Sequence, residues 1–546
     1  MAAGSSPAAP TEPPPQAAGC RSVSYALEMA ALLRLADLLG SLSIVADMGY
    51  GFPVGHATRS CLIGVGLARS LGLEDQDVAD TFYTSLLSHI GCVSFSHEMS
   101  SFFGDEFSAN MAGAKTNFAD PMDILATLIP ETARGLSRAA QIKSTAIILT
   151  RGRALGKRYD TTVCEVARET ARRINLTDGV QSSLFEVKEC WNGRGAPRRL
   201  KGEEIRLPAR IARVATEAAL FGDLGGADLA VHALEHRSGG ILDPTIVGEF
   251  IANASLLLDQ AEEGDPQERL LAVEPEPVAE RSEGELVPLA AAFGDLADLK
   301  TPFTHGHSKE VARLSKAAAE NLELDSEVIR QLHMAGFLHD LGRVGISNVI
   351  WEKPGTLTRA EWEQVRLHAY HSERILTTSP ALGAVALIAG MHHERLDGSG
   401  YHRGARAREL SVAARVLAAA DVFQAMTEER PHREALGPVR AAEELRSAAR
   451  SGQLDPDAVA AVVQASGQRA GRSQDLRPAG LSEREIEVLQ LVAAACSNRE
   501  IAERLHISRR TAEHHVQHIY GKIGISTRSA AAFFALEHDL LPARNA

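Results

Sequence analysis

The chain is poor in cysteine. Six residues (Cys20, Cys61, Cys92, Cys164, Cys190 and Cys496) are scattered over 546, and no two form a C-x-x-C pair. That excludes a disulfide framework and a cysteine-type zinc site, and fits a reducing cytoplasm. Aromatic residues supply only 5%, which beside abundant Ala and Leu points to packed helices rather than sheets. No run approaches the roughly 18 apolar residues of a membrane span, so no membrane contact is expected. The opening MAAGSSPAAPTEPPPQ lacks a basic stretch before an apolar core, so no secretion signal is read and the expected location is cytoplasmic. Positive charge is also short. With a net charge of −13, any nucleic-acid contact must come from a local basic surface. What remains is ordinary for a globular chain, 45% hydrophobic and 23% charged. The length predicts three or four domains of roughly 150 residues each.

Residues 1–22, rich in Pro, Ala, Ser and Gly, read as a disordered tail. From Ser24 apolar residues recur at threes and fours, opening a helical domain over 23–258. The acidic, Pro-containing run AEEGDPQERLLAVEPEPVAERSEGEL predicts an extended, solvated linker over 259–297. A second helical domain follows at 298–464, then a Gly-, Ser- and Arg-rich linker at 465–480 and a small unit at 481–546. The two large blocks are related. GFPVGHATRS…LLSHIG aligns without a gap on PFTHGHSKEV…FLHDLG, setting His56 opposite His307 and Gly91 opposite Gly342. KECWNGRGAPRRLKGEEIRLPARI aligns likewise on HERLDGSGYHRGARARELSVAARV. Two matched stretches in one order indicate an internal duplication.

The second block gathers His307, His339, Asp340, His368, His392, His393 and Asp421. Imidazoles and carboxylates are the ligands that borderline divalent ions prefer, and one carboxylate can bridge two metals. The runs FLHDLGRVGISNVIWEKPGTLTRAEWEQVRLHAYHSERIL, MHHERLDGSGYHRG and AADVFQAMTEERPHR resemble the HD-GYP phosphohydrolases. The resemblance covers about 140 residues. It implies an all-helical fold, two or three iron or manganese ions, and hydrolysis of a cyclic dinucleotide such as cyclic di-GMP. It also implies that these seven residues are the metal ligands, with Asp340 bridging. Arg343 stands for the family lysine that neutralises the scissile phosphate, and Arg430, Arg433 and Tyr401 are substrate-binding candidates. Three positions depart from the family. The GYP signature reads Gly400-Tyr401-His402, Gln424 stands for an aspartate, and Thr301 stands where an acidic residue is common.

The first block has lost its ligands. Ser88-His89 stands for the His-Asp pair, Val187-Lys188 for His392-His393, and Thr216 for Asp421. One remaining imidazole, His56, cannot hold a dinuclear centre. Gly193, Gly195 and Pro197 are kept, and these serve the backbone. The block reads as a pseudo-domain for packing or dimerisation; a sensory pocket stays open as an alternative, and the sequence names no ligand for it.

The terminal unit reads as four short helices. Ser482 with Glu485 makes a capping box, Asn498 is expected to cap the second helix, and Ser508 the third, RRTAEHHVQHIYGKI. With Ile507, Val516, Ile519 and Ile523 inward, Arg509, Arg510, Thr511, Glu513, His514, His518 and Lys522 are left as DNA-binding candidates on a helix-turn-helix. LSERE-EVL, SN-EIA--L-IS--T and KIGIS-R resemble the LuxR-type helix-turn-helix. That resemblance implies contact with double-stranded DNA and a homodimer formed through the last helix, Arg528 to His538. The whole is read as all-α: two tandem HD-type domains and a four-helix reader, acting as a transcriptional regulator. Two other readings stay open: a non-catalytic nucleotide sensor, and an enzyme merely localised on DNA.

Overall fold

The computed structural model describes residues 33–133, 137–467 and 478–541. The expected tail and most of the second expected linker lie outside them. Among the described residues strand is confined to Leu33–Arg34 and Glu280–Arg281, paired antiparallel, and all else that is regular is helical. The composition predicts this: few aromatics, much Ala and Leu.

The duplication is visible atom by atom. A Cβ added to Gly91 would lie 2.0 Å from the Val163 carbonyl oxygen, and one on Gly342 would lie 2.1 Å from that of His368. Both copies therefore pass a bare backbone against a helix at the same crossing. Asp47 and Asp298 each accept a backbone N–H at 2.9 Å, from Ala57 and Ser308 respectively. Arg210 pairs with Asp243 at 2.6 Å as Arg415 pairs with Asp455 at 3.0 Å, each also donating to a carbonyl five residues back. The helices form for ordinary reasons. His307–Asn321 buries Val311, Leu314, Ser315 and Ala318 along one face, and Arg359–Thr377 opens on a Thr358–Glu361 capping box.

The acidic run does not extend into solvent as its charge predicts. It holds the helix Pro266–Val273, the strand Glu280–Arg281 and the helix Glu283–Asp298. Asp265 and Ser282 cap those two helices, and Leu286, Leu289, Phe293 and Leu296 are buried at helical spacing. Pairing overrides repulsion: buried Glu274 takes Arg34 at 2.6 Å and the Tyr83 hydroxyl at 3.2 Å.

The two copies share one core. At their seam Lys300 Nζ lies 2.9 Å from Glu106 Oε1, with both side chains at most 2% exposed. Glu106 also accepts from Asn348 N–H at 2.9 Å and Ser347 Oγ at 2.8 Å. The terminal unit docks on both copies. Glu165 accepts from Ser526 and Thr527, Arg172 pairs with Glu537, and the Arg173 guanidinium lies 4.5 Å from the Phe533 ring centre. From the second copy, His305 Nδ1 meets the Ala493 carbonyl at 2.8 Å and Lys309 donates to that of Leu536 at 2.7 Å.

Candidate functional site

Five separated segments bring seven side chains to one buried point. His307 is the first residue of its helix, behind Gly306 at φ 80°. His339 and Asp340 end the helix Ser326–Leu338, and His368 lies within Arg359–Thr377. His392 and His393 follow the short helix Gly383–Ala389, and Asp421 projects from Val412–Met426. All but His393 are buried.

Asp340 is the hub. Its Oδ1 lies 3.4 Å from His368 Nε2 and 3.7 Å from His392 Nε2, whereas Oδ2 lies 3.7 Å from Nε2 of both His307 and His339. Asp421 Oδ1 is 3.3 Å from His307 and 3.9 Å from His339, and its Oδ2 is 3.6 Å from His393 Nδ1. Three triads, His307–His339–Asp421, His368–His392–His393 and His339–Asp340–His392, each keep their ligand atoms within 4.8 Å.

An outer layer aims the rings. His339 Nδ1 bonds the Gly336 carbonyl at 2.8 Å, His392 Nδ1 that of Ala389 at 2.7 Å, and His368 Nδ1 that of Val365. With Nδ1–H so engaged, each Nε2 turns inward as a lone-pair donor. His339 Nε2 is buried with no hydrogen-bond partner, and a lone pair stranded among carboxylates fits a cation. Burial lowers the His307 pKa, but Glu428 and Asp421 outweigh it and hold it up to about 10, so a cation bound there would displace a proton. Burial pushes the Asp340 carboxyl up, but Arg343, His339, His368 and His307 together outweigh it and hold it well below the usual range. Burial, with neighbouring imidazoles, drives His392 and His393 down, so both rings are neutral, as metal ligands must be.

Glu428 was not among the expected residues. It is buried, and its Oε2 lies 3.1 Å from His307 Nδ1. Helical periodicity could not have found it, since Glu428 lies two residues past the end of Val412–Met426, the helix that carries Asp421. Gln424, in the departed position, donates to Glu428 Oε1 at 2.9 Å.

The substrate-side residues separate. Arg343 bonds Asp340 Oδ2 at 2.9 Å and lies 4.0 Å from the Trp351 ring centre. Arg430 pairs with Glu428 at 2.6 Å, and the Tyr401 ring centre is 4.7 Å from that of His393. Arg433 is turned onto the Ala425 carbonyl. The Tyr401–His402 peptide is cis, like Ala196–Pro197 at the equivalent place in the first copy.

In the first copy Ser88 Oγ bonds His89 Nδ1 at 2.9 Å, and burial lowers the pKa of His56, which sits 3.7 Å from Asp223. The crossing at Gly91 also identifies a substitution the aligned motifs do not reach: Val163 occupies the place of His368.

In the terminal unit the third helix is Arg509–Ile523, capped by Ser508 as expected. The second, Asn498–Arg504, is capped by Ser497 rather than Asn498, because Glu500 three residues on closes a capping box with it. Arg509, Arg510, Thr511 and His514 are exposed, and Glu513 pairs with Arg509 at 3.0 Å. His518 and Lys522 bend back to Glu485, at 2.6 and 2.8 Å. Among the described residues no helix is long and apolar enough to cross a membrane.

Known proteins share these features. A model of the HD domain matches residues 291–458, and one of bacterial regulatory proteins of the luxR family matches residues 479–535. Over 434 residues, 79% of this chain and 94% of the relative, the chain is 31% identical to the 3′3′-cGAMP-specific phosphodiesterase 3 of Vibrio cholerae serotype O1. It is 37% identical over 180 residues, 32% of this chain and 43% of the relative, to a cyclic di-GMP phosphodiesterase of Pseudomonas aeruginosa. The crystal structure of a cyclic GMP-AMP specific phosphodiesterase of V. cholerae is similar with a TM-score of 0.55 at 28% identity, covering 80% of this chain and 98% of that one.

Proposed function

Because the chain belongs to the HD-GYP phosphodiesterases and carries a LuxR-type domain, we propose that it is a DNA-binding regulator whose second HD copy hydrolyses a cyclic dinucleotide. The observation that carries this is the division of Asp340, one oxygen toward His368 and His392, the other toward His307 and His339. Asp340 and these histidines, with Asp421 and His393, would hold divalent cations, iron or manganese in the family it resembles. Bound there, such cations supply Lewis acidity at the phosphate and a lowered pKa for water. The chain's own groups do the rest. Glu428 keeps the His307 Nδ1 proton and so keeps Nε2 free. Arg343, its guanidinium 4.0 Å from the Trp351 ring centre, sets beside the scissile phosphate a planar fork in place of a point charge. Arg430 and Tyr401 flank the same point and bind and orient the nucleotide, while Arg433 must leave the Ala425 carbonyl to join them. The relatives are named for cGAMP and for cyclic di-GMP, so the substrate class is a guanine-containing cyclic dinucleotide.

At the other end, Arg509, Arg510 and Thr511 occupy the exposed first turn of the third helix, where helix-turn-helix proteins approach bases and phosphates. Dimerisation through the last helix requires that helix to leave Glu165, Arg172 and Lys309. A soluble, cytoplasmic home fits this reading. The test is Asp340→Asn. It should lose bound metal and hydrolysis of 3′3′-cGAMP and cyclic di-GMP together, whereas His89→Ala should change neither. Unaltered metal content in Asp340→Asn would sink the assignment.

A further inference from the structure

The first copy is hollow where the second builds its metal centre. A cavity of about 940 Å³ is lined by Ser88, His89, Val187, Lys188 and Thr216, which are the very positions that correspond to lost ligands. Its size is within the range of small-molecule pockets, roughly 300–1,000 Å³. Met99, Phe103, Ile124, Leu128, Ile148 and Leu149 give it an apolar stretch, beside which Arg151, Arg153 and Lys157 are exposed. The charge is one-sided: seven basic side chains line the cavity against two acidic ones. Of the acids, Glu217 is consumed by Arg213 at 3.1 Å and Arg237 at 2.6 Å. The other, Asp160, is pushed by burial up to about 6, with Lys188 and Arg213 pulling against it. Lys188 has no ion-pair partner among the described residues, its ammonium standing 5.9 Å from the Tyr50 ring centre. At the cavity wall Asn110, 4% exposed, leaves Oδ1 without a hydrogen-bond partner.

Apolar side chains beside a half-buried ammonium with no ion pair suit a molecule with an aliphatic chain and an anionic head. We propose that the first copy binds an aliphatic carboxylate, its head on Lys188 and its chain along Phe103, Leu128 and Ile148. This site is separate from the metal centre and does not depend on the second copy turning over a nucleotide. The former catalytic position becomes the floor of a receptor.

The test uses the full chain, with dodecanoate as probe, titrated calorimetrically and by displacement of a fluorescent polyene fatty acid. One dodecanoate per chain is expected. Lys188→Met should weaken it roughly ten- to hundredfold, the loss of one charge-assisted bond, and leave dodecanol unchanged. Leu128→Trp should block both, and if that variant does not fold, Leu149→Trp at the mouth asks the same question. Dodecyltrimethylammonium should bind far more weakly than dodecanoate. Equal affinity for dodecanoate and dodecanol, no binding at all, or binding indifferent to both tryptophans would each overturn the proposal.

Discussion

Replacing Glu106 by Gln tests whether the ligand-free copy supports the other through a buried charge. Glu106 and Lys300 come from different copies, 2.9 Å apart and at most 2% exposed. Glutamine keeps the shape but has one acceptor oxygen, where the carboxylate satisfies Lys300, Asn348 N–H and Ser347 Oγ with two. With the amide oxygen toward Lys300 and Asn348 N–H, the amide nitrogen faces the Ser347 hydroxyl, which can turn to accept, so what Glu106→Gln removes is the counter-charge of Lys300. Removing one partner of a buried pair costs about 3–5 kcal/mol. The converse change should be cheaper. In Lys300→Met, Glu106 still accepts two hydrogen bonds, whereas in Glu106→Gln the buried ammonium has only a neutral amide oxygen and the Phe107 ring, 4.8 Å away, and no counter-charge. The double variant Glu106→Leu/Lys300→Met should recover much of the loss, short of the roughly 1–3 kcal/mol for the stranded Asn348 N–H. Urea denaturation of the four proteins, compared at unchanged slope, reads these differences. A cost below about 1 kcal/mol for Glu106→Gln, or a larger cost for Lys300→Met, would refute the reasoning.

Arg510→Ala should weaken binding of the full chain to a selected duplex and lower the salt slope by about one unit, whereas Lys201→Ala in the first copy should do neither; binding across a salt series decides. The Glu485 carboxyl is pushed up by burial but pulled further down, to about 2, by Lys522, Ser482 and His518. A depressed carboxyl contributes stability that is complete above its unfolded pKa and lost as pH falls through the folded one, here between about 4.5 and 2. Amide exchange over residues 481–524, corrected for intrinsic rates, should therefore quicken from pH 5 to pH 3, and Glu485→Gln should already exchange fast at pH 5 and respond little.

Much of this was legible without coordinates, for physical reasons. The ligands of the second copy stand in contiguous motifs, His339-Asp340 and His392-His393, and ligand chemistry constrains residue type at each place. Capping boxes at Ser482 and the cap at Ser508 are local and were read locally. Ser497 and Asn498 are both good caps, and only Glu500, which completes a box with Ser497, separates them. Charge misled where pairing was invisible. The run 259–297 looked solvated because nothing in it shows that Glu274 meets Arg34, 240 residues earlier. The loss of His368 in the first copy lay between the aligned stretches, so Val163 could be matched only where the backbones cross at Gly91 and Gly342. The docking of the terminal unit is made by single residues such as Glu165 and Lys309, scattered along helices whose patterns serve other faces.

The shared core has a consequence for how the chain is made. Leu33–Arg34 has no strand to pair with until Glu280–Arg281 has been synthesised. Ser41, in the first described helix, donates to the Ile375 carbonyl 334 residues later. At 5–20 residues per second that separation is roughly 15 to 70 s of translation. For that time the first copy stands beside the ribosome with one side of its opening helix uncovered. The last partners arrive later still: Ser529, which closes on the Ser94 carbonyl, is 435 residues downstream. A chain built from tandem copies would be expected to fold bead by bead. This one finishes its first domain only when its last is nearly complete.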